Sequence, residues 1–288
     1  LALQQQKMAR GAMGRRKRMP FRATLPLVLA ACYIAREISD TFVPAPQMTS
    51  SKLSSLPGIT AAALVPSAAS AAVQEMPPAP SGINTLPESQ QAAVVVGVFV
   101  GLAAGTAILA GPIFQFLQNL LPEGWWKGWQ KTWPILGAFY LAAGVAHFTA
   151  AESFQAIYPP EGTWGFWYLP GSASFHVAWT GVAEIAGGTG LFVGALLLGL
   201  AGVLQMEVPM WLQLIPSWSA LGLFLLTWAV TPANVYMYTH GAQMIGLTPG
   251  DQPIPLEFHL IRGLFQVILL SILWSYSSAQ REEAQAAS

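Results

Sequence analysis

The stretch AAVVVGVFVGLAAGTAILAGPIFQF, residues 92–116, decides the fold class of this chain. It lies within a longer segment, 90–122, that has no charged residue, and a helix of about 20 apolar residues crosses the hydrocarbon core of a bilayer. The whole chain has the same character, since 53% of its 288 residues are hydrophobic and 9% are charged. A globular domain carries about 25% charged residues, so the composition predicts an integral membrane protein. The formal net charge of zero argues against binding to nucleic acid.

Four further apolar segments follow, and each is long enough to cross a membrane. They cover residues 132–151, 177–204, 217–236 and 256–276. Together with the first segment they predict an all-α fold, an integral membrane helical bundle of five transmembrane helices. Tryptophans crowd the loop between the first two spans, as is typical of the headgroup level of a membrane.

The amino-terminal part of the chain has a different charge from the rest. Residues 1–76 carry nine Lys or Arg against three Asp or Glu, whereas residues 77–288 carry four against ten. A basic cluster, 15–18, precedes a short apolar run, and an acid-poor Ser/Thr/Ala-rich stretch follows Phe42. This order is typical of a signal peptide and a transit peptide, and it resembles the leaders of plastid proteins in algae with secondary plastids. We expect residues 1–76 to be a leader that is removed or disordered; a disordered basic tail is the alternative.

The mature chain is predicted to have three parts: an amino-terminal segment with the first span (77–130), a four-helix membrane domain (131–279) and a polar tail (280–288). If the spans alternate in direction, Lys127, Lys131 and Arg281 fall on one side of the membrane. Basic residues favour the cytoplasm-equivalent side, which in a plastid is the stroma. The amino terminus of the mature chain is therefore predicted to lie in the thylakoid lumen.

Glycines spaced four residues apart mark two of the spans. They are Gly97, Gly101 and Gly105 in the first span, and Gly190 and Gly194 in the third. This spacing puts small residues on one helix face and lets another backbone approach closely. We expect the pair in the third span to pack within the chain, and the stripe on the first helix, which is terminal, to meet a partner protein.

Alternating spans bring all four histidines to the lumenal side; they are His147, His176, His240 and His259. Glu257 lies beside the last of them, Arg262 lies about one turn deeper, and Glu184 lies about 12 Å into the bilayer from His176. Buried ionisable residues are by default candidates for a functional site. Three chemistries stay open: a transition-metal site, a histidine ligand to the magnesium of chlorophyll, and a quinone site that uses Arg262 with Glu184 or Glu257. A structural ion pair between Arg262 and a glutamate is the alternative.

Short motifs in the last four spans resemble DoxX-like membrane proteins. They are the segment 137–147, GVAEIAGG at 181–188, PANVYM at 232–237 followed by His240, PLE at 255–257, and RGLFQ at 262–266 leading to Trp274. The resemblance covers about residues 130–277 and implies a four-helix membrane bundle, to which the first span is an addition. Some members of that family are small subunits of quinone-linked oxidoreductases. The resemblance therefore implies a quinone-linked role for Glu184, Asn234, His240 and Arg262.

Two functions compete at this point. The first is an accessory subunit of a photosynthetic complex in the plastid thylakoid membrane, which contacts lipids and photosystem core or antenna subunits, stabilises their assembly and binds chlorophyll and carotenoid. The alternative is a small subunit of a quinone-linked membrane oxidoreductase. Short loops, the absence of a CxxCH haem motif and a single cysteine, Cys32, favour the first function. It predicts no enzymatic activity for the chain itself.

Overall fold

The structure, a computed structural model, describes residues 79–245 and 253–287. The predicted leader, residues 1–76, lies outside the described residues. Every regular element in the described part is helical. The α-helices are α1 (Glu88–Ile108), α2 (Phe114–Leu120), α3 (Trp125–Gln130), α4 (Leu136–Thr149), α5 (Ala151–Ala156), α6 (Ala173–Val203), α7 (Met210–Gln213), α8 (Ile215–His240) and α9 (Leu256–Ala287). Short 3-10 turns cover Ile83–Thr85, Trp133–Ile135 and Thr163–Gly165, and a π-helical turn, Leu109–Ile113, joins α1 to α2.

Four helical segments of the described residues are long and apolar enough to cross a membrane. They are Glu88–Leu120, Ala173–Val203, Met210–His240 and Leu256–Ala279. The prediction of an all-helical membrane protein is therefore confirmed, with four candidate spans in the place of the five that were predicted. The polar residues at the carboxyl terminus, predicted as a tail, continue α9 as far as Ala287.

The remaining predicted span, 132–151, contains a shorter helix. Its helix α4 has 14 residues and is about 21 Å long, less than the thickness of about 30 Å of a hydrocarbon core. Pro134 lies in the 3-10 turn that precedes α4, and proline favours the start of a helix because it has no N–H to donate. At the other end Ala150, with φ −129° and ψ 41°, interrupts the helical backbone before α5.

The long helices pack in chain order. α4 packs on α6, α6 on α8, α8 on α9, and α9 on α1. α8 and α9 run antiparallel, since Ser217 near the start of α8 donates to the carbonyl of Ser277 at 2.9 Å and Gln266 of α9 donates to Thr231 at 2.6 Å. α1 and α9 run parallel, since Gly105 packs against Val267 and Phe114, beyond α1, shares a core with Tyr276. The order brings α1 beside the carboxyl half of the bundle, where it covers α9.

Glycines allow a close approach of the backbones of α4 and α6. A Cβ atom on Gly137 would lie 2.6 Å from the carbonyl oxygen of Gly188, and one on Gly144 would lie 2.7 Å from that of Gly181. Both contacts are to backbone, which cannot move aside. The two pairs therefore fix the register of α4 against α6, and no larger residue fits at these positions without a shift of the helices.

The glycines with four-residue spacing have different surroundings. Gly190 of α6 packs against Ser219 of α8, and Gly194 packs against Pro216 at the start of α8. Gly105 of α1 packs against Val267 of α9. Gly97 and Gly101 are exposed, and a Cβ atom on either would have no neighbour within 4 Å in the described part of the chain. Of the three α1 glycines, Gly97 and Gly101 are thus open to contact with other molecules, and Gly105 is covered by α9.

Each end of the bundle has its own aromatic cluster. At one end Phe114, Trp126, Trp129 and Trp133 pack edge to face, and Tyr276 of α9 belongs to the same core. Lys127 and Lys131 lie in this region, and Arg281 stacks over Trp218 at 5.5 Å nearby. At the other end Val95, Trp164, Val235 and Tyr236 form a second core, close to the histidines.

Candidate functional site

All four histidines lie at the same end of the bundle. His147 is near the end of α4, His176 near the start of α6, His240 at the end of α8 and His259 near the start of α9. The loop between α5 and α6 closes this end. Its Trp164 is 2% exposed and has φ of 58°, which is rare for a residue with a side chain. The indole of Trp164 donates to Thr239 at 2.9 Å, so the loop is held against the end of α8.

His176 is a structural histidine. The indole N–H of Trp179 donates to its Nδ1 at 3.0 Å, and its Nε2 lies 3.0 Å from the carbonyl oxygen of Pro170. Since a carbonyl only accepts, Nε2 carries the proton and Nδ1 is the acceptor. Tyr158 also stacks on the ring at 5.0 Å between centroids. Both ring nitrogens are thereby engaged, which removes His176 from the candidates for ligation of a pigment or metal.

His147 forms a pair with Glu184. Its Nδ1 lies 2.9 Å from the carbonyl oxygen of Val177, and its Nε2 lies 3.6 Å from Glu184 Oε2. Both side chains are more than nine-tenths buried. Glu184 Oε2 has no hydrogen-bond partner. The close approach of α4 to α6 at Gly144 and Gly181 brings these two groups together.

His240 and His259 have fewer contacts in the described part of the chain. The Nδ1 of His240 lies 2.8 Å from Thr239 Oγ1, and its ring packs against Tyr236. The ring of His259 packs against Tyr238. Both are partly exposed. They are the two histidines that stay available as pigment ligands.

A large cavity of about 780 Å³ lies between α1, α8 and α9. This is within the range of about 300–1,000 Å³ that is typical of sites for small molecules. Most of its lining is apolar, including Val98 and Leu102 of α1. Asn234, Arg262 and Gln266 form its polar wall, and the exposed Glu257 and His259 lie at the start of α9.

The polar wall is a chain of hydrogen bonds. Arg262 donates to the side-chain oxygen of Asn234 and, at 3.2 Å, to the sulfur of Met237. The amide nitrogen of Asn234 lies 3.4 Å from Gln266 Oε1, and Gln266 in turn donates to Thr231 at 2.6 Å. The positively charged guanidinium of Arg262 is thus held in an apolar cavity by neutral hydrogen-bond acceptors. The expected ion pair of Arg262 with Glu184 or Glu257 is not found among the described residues, where Glu184 pairs with His147.

A small cavity of about 180 Å³ lies between α4, α5, α6 and α8. Glu184, His147 and His176 line it, together with Tyr158 and Trp167 of the loop region. Asn234 lines this cavity as well as the large one. The structure therefore divides the predicted cluster of polar residues between two sites that share one side chain.

No group of three or more His, Cys, Asp or Glu residues in 79–245 and 253–287 is placed to hold a metal ion. A transition-metal site in proteins usually needs three or four such ligands. The four histidines instead lie on four different helices at this end of the bundle, and their neighbours include carbonyl, hydroxyl and aromatic groups. Of the three chemistries predicted from the sequence, the metal site has the least geometric support.

Sequence reasoning missed several residues of the two cavities. Gln266 and Thr231 complete the polar chain of Arg262, and Tyr158 and Trp167 form walls of the small cavity. A signal for the first two was present, since Gln266 lies four residues after Arg262, one turn along the same helix face. The loop residues had no such signal, because only the folded loop brings them to Glu184.

The motifs that resemble DoxX-like proteins contribute residues to both cavities. Glu184 belongs to one such motif, and Asn234 and Arg262 belong to two others. The resemblance itself stays a prediction, so the two cavities have to be interpreted from their own geometry. Comparisons of the chain with protein-family models, with curated proteins and with solved structures found no match.

Proposed function

We propose that this chain binds a quinone in the large cavity and acts as a small subunit of a quinone-linked membrane oxidoreductase. The observation that carries the proposal is the polar wall of Arg262, Asn234 and Gln266 inside an apolar cavity of about 780 Å³ between membrane helices. A quinone has an apolar ring and tail with two carbonyl oxygens, so it needs an apolar cleft with a few donors at fixed places. The resemblance to DoxX-like proteins points in the same direction.

Each polar residue has a role in this proposal. Arg262 has five N–H donors, and those not used on Asn234 and Met237 can donate to a quinone carbonyl. Asn234 and Gln266 hold the guanidinium in place through their hydrogen bonds. Glu257 and His259, nearer the start of α9, are placed to exchange protons with the solvent when the quinone is reduced. The electrons would come from a partner subunit.

The test is a calorimetric titration of the purified chain, in a nonionic detergent, with a benzoquinone that carries a decyl tail. We expect saturable binding that Arg262→Gln weakens by about tenfold or more, since hydrogen bonds from a charged donor contribute about 1.5–3 kcal/mol. Arg281→Gln is the matched control, because Arg281 lies at the opposite end of α9, over Trp218. Equal affinity in the two variants would show that the quinone binds elsewhere.

A separate proposal concerns the number of membrane spans. We propose that α4 is a fifth span, so that α4, α6, α8 and α9 form a DoxX-like four-helix bundle with α1 as an addition. Phe139, Val145 and Phe148 of α4 support it, because 45–51% of each side chain is exposed on the outside of the bundle. Apolar side chains exposed in this way suit contact with lipid.

A second candidate function is the accessory subunit of a photosynthetic complex in the plastid thylakoid membrane, with the amino terminus of the mature chain in the lumen. The exposed glycine face of α1 favours it, since Gly97 and Gly101 leave room for the helix of a partner subunit. Chlorophyll would be bound through His240 or His259, and carotenoid along the apolar helices.

Solubilised native membranes distinguish the two functions. If the accessory function is right, the chain comigrates with photosystem subunits in a sucrose gradient, and the purified protein absorbs as chlorophyll does. His240→Ala or His259→Ala then removes pigment, whereas His176→Ala leaves the pigment content unchanged because both nitrogens of His176 are already engaged. A colourless protein that migrates with respiratory subunits and binds quinone supports the first proposal instead.

A further inference from the structure

The small cavity combines a buried carboxylate with aromatic walls, and the quinone proposal uses neither. We propose that this cavity binds an organic ammonium group of about the size of tetramethylammonium, either as a free cation or as the headgroup of a lipid. The inference goes beyond the proposed function and does not depend on it. It rests on residues of α4, α5, α6 and the loop before α6, whereas the quinone site lies between α1, α8 and α9; the two cavities share Asn234 of α8 in their linings.

The first argument is the unsatisfied carboxylate. Glu184 is 7% exposed and lines the cavity, and its Oε2 has no hydrogen-bond partner. Buried polar groups in native proteins are nearly always hydrogen-bonded. Glu184 is an exception, and a cation bound in the cavity would compensate its unpaired carboxylate oxygen.

The second argument is the charge of the pair formed by Glu184 and His147. His147 Nδ1 lies 2.9 Å from the carbonyl oxygen of Val177, which only accepts, and 3.1 Å from the hydroxyl of Thr180. Because that hydroxyl donates to the carbonyl of His176 at 2.7 Å, Nδ1 carries a proton. In the neutral imidazole the lone pair of Nε2 then faces Glu184 Oε2 at 3.6 Å. Two lone pairs in contact repel each other, so the pair needs either one shared proton or a cation beside the carboxylate. Binding of a cation therefore displaces the proton that His147 and Glu184 share.

The third argument is the shape and chemistry of the walls. Phe154, Tyr158, Trp167 and Trp179 line the cavity with aromatic rings. Tyr158 and Trp167 meet at 64° with ring centroids 6.2 Å apart, so they form a corner. Aromatic cages recognise quaternary ammonium groups through the negative faces of the rings. The volume of about 180 Å³ is also sufficient, since an apolar cavity of about 150 Å³ accepts benzene.

The other groups around Glu184 do not supply a competing cation. On α4 the titratable groups near it are His147 and Tyr140. His176 of α6 and Tyr158 also line the cavity, and His176 is held as a neutral acceptor by Trp179. The α8 residues in the lining, from Ala229 to Asn234, have no titratable side chain. A bound cation is thus compensated by Glu184 alone.

The test uses the full chain in dodecyl maltoside, a detergent without an ammonium group, titrated calorimetrically with tetramethylammonium chloride against sodium chloride. We expect saturable binding that Glu184→Gln weakens by at least about tenfold, because the attraction of a unit charge in a site of low dielectric is lost. Glu207→Gln, in the exposed loop after α6, is the matched control. Affinity should fall as the pH is lowered, and titrations in two buffers should show release of about one proton for each cation bound.

A second variant tests the proposal in case Glu184→Gln does not fold. Trp167→Leu removes one wall and leaves the charge in place, so the affinity for tetramethylammonium should fall severalfold. Trp125→Leu, whose side chain is 65% exposed at the other end of the molecule, should bind like the original chain. The proposal is overturned if the original chain shows no saturable binding, or if Glu184→Gln and Trp167→Leu both fold and keep its affinity.

Nanodiscs separate the two sources of the ammonium group. If the occupant is a lipid headgroup, tetramethylammonium binds more weakly in discs of phosphatidylcholine than in discs of an uncharged galactolipid, because the choline headgroup competes for the cavity. If the occupant is a free cation, the two kinds of disc give the same affinity. Absence of binding in both discs, with a folded protein, contradicts the proposal.

Discussion

Arg262 shows how a single charged residue is retained within an apolar helix bundle. The two acceptors that the structure gives it, Asn234 and Met237, are neutral, and Asn234 is itself held by Gln266. A buried charge without hydrogen bonds is strongly unfavourable. In the described part of the chain, Arg262 is therefore held in position by neutral side chains of α8 and not by a carboxylate.

The role of Asn234 can be tested by its removal. We expect Asn234→Ala to lower the free energy of unfolding by about 2 kcal/mol, because Arg262 loses an acceptor while it stays charged. The measurement is thermal unfolding in detergent. Asn119→Ala on the exposed surface of α2 is the control and should change stability by less than about 0.5 kcal/mol. Equal effects of the two substitutions would contradict this account of the polar wall.

The sequence identified Arg262, Glu184, Asn234 and Glu257 as candidates but did not identify their partners. Hydropathy shows that a charged residue lies in an apolar segment, and that information is local. Whether Glu184 meets Arg262 or His147 depends on which helices are neighbours and on how each is rotated. The structure places Glu184 on the side of α6 that faces α4, so its partner is His147.

At the scale of the helices, the glycine pairs of α4 and α6 are a strong constraint, because they meet backbone atoms. Gly137 and Gly144 are seven residues apart, as are Gly181 and Gly188, and seven residues are close to two helical turns. Each helix therefore presents both of its glycines on one face. This seven-residue spacing was a signal in the sequence, whereas attention to four-residue spacing identified Gly190 and Gly194, which pack against side chains of α8.

We expect Gly144→Ala to destabilise the protein by about 1–3 kcal/mol, because the new methyl group overlaps the carbonyl of Gly181 and the helices have to separate. Gly199→Ala is the control on α6, since a Cβ atom there has no neighbour within 4 Å. It should leave stability unchanged or slightly raised. Thermal unfolding of both variants in the same detergent is the measurement. A stable Gly144→Ala would mean that α4 and α6 are further apart than described.

The length of α4 was not predictable from hydropathy. Residues 132–151 are uniformly uncharged, so the segment reads as a full span. The helix is shortened by backbone features at its ends, the 3-10 turn that contains Pro134 and the irregular conformation of Ala150. Pro134 was visible as a signal for a helix start. The break at Ala150 had no comparable signal, because alanine favours helices.

At the scale of the whole molecule, the two ends of the bundle should face opposite compartments. Glu123, before α4, and Glu161, after α5, are both exposed, and only α4 and the short α5 separate them. We expect single cysteines at these positions, Glu123→Cys and Glu161→Cys in a Cys32→Ser background, to react with a membrane-impermeant maleimide from opposite sides of sealed vesicles. Reaction of both from one side would mean that α4 enters the membrane and returns without crossing.

Composition was enough to predict the class of the molecule, because 9% charged residues cannot cover a water-facing surface. The placement of the four histidines at one end also agrees with spans that alternate in direction. The division of the polar residues into two cavities could not be predicted from the sequence, because it depends on where α1 packs on α9 and where the loop before α6 packs. Those contacts join residues that are distant in the sequence.

The short α4 also has a consequence for the surrounding bilayer. Even with the 3-10 turn before it, at about 2 Å for each residue, the apolar wall on this side of the bundle is about 27 Å high at most, whereas the 31 residues of α6 extend about 46 Å. If α4 spans the membrane as proposed, lipids beside it must thin to match it, at a fraction of a kcal/mol for each ångström of mismatch. The protein would then favour thin membranes, and in a thick one contact of the α4 side with another protein would lower the cost of deforming the bilayer.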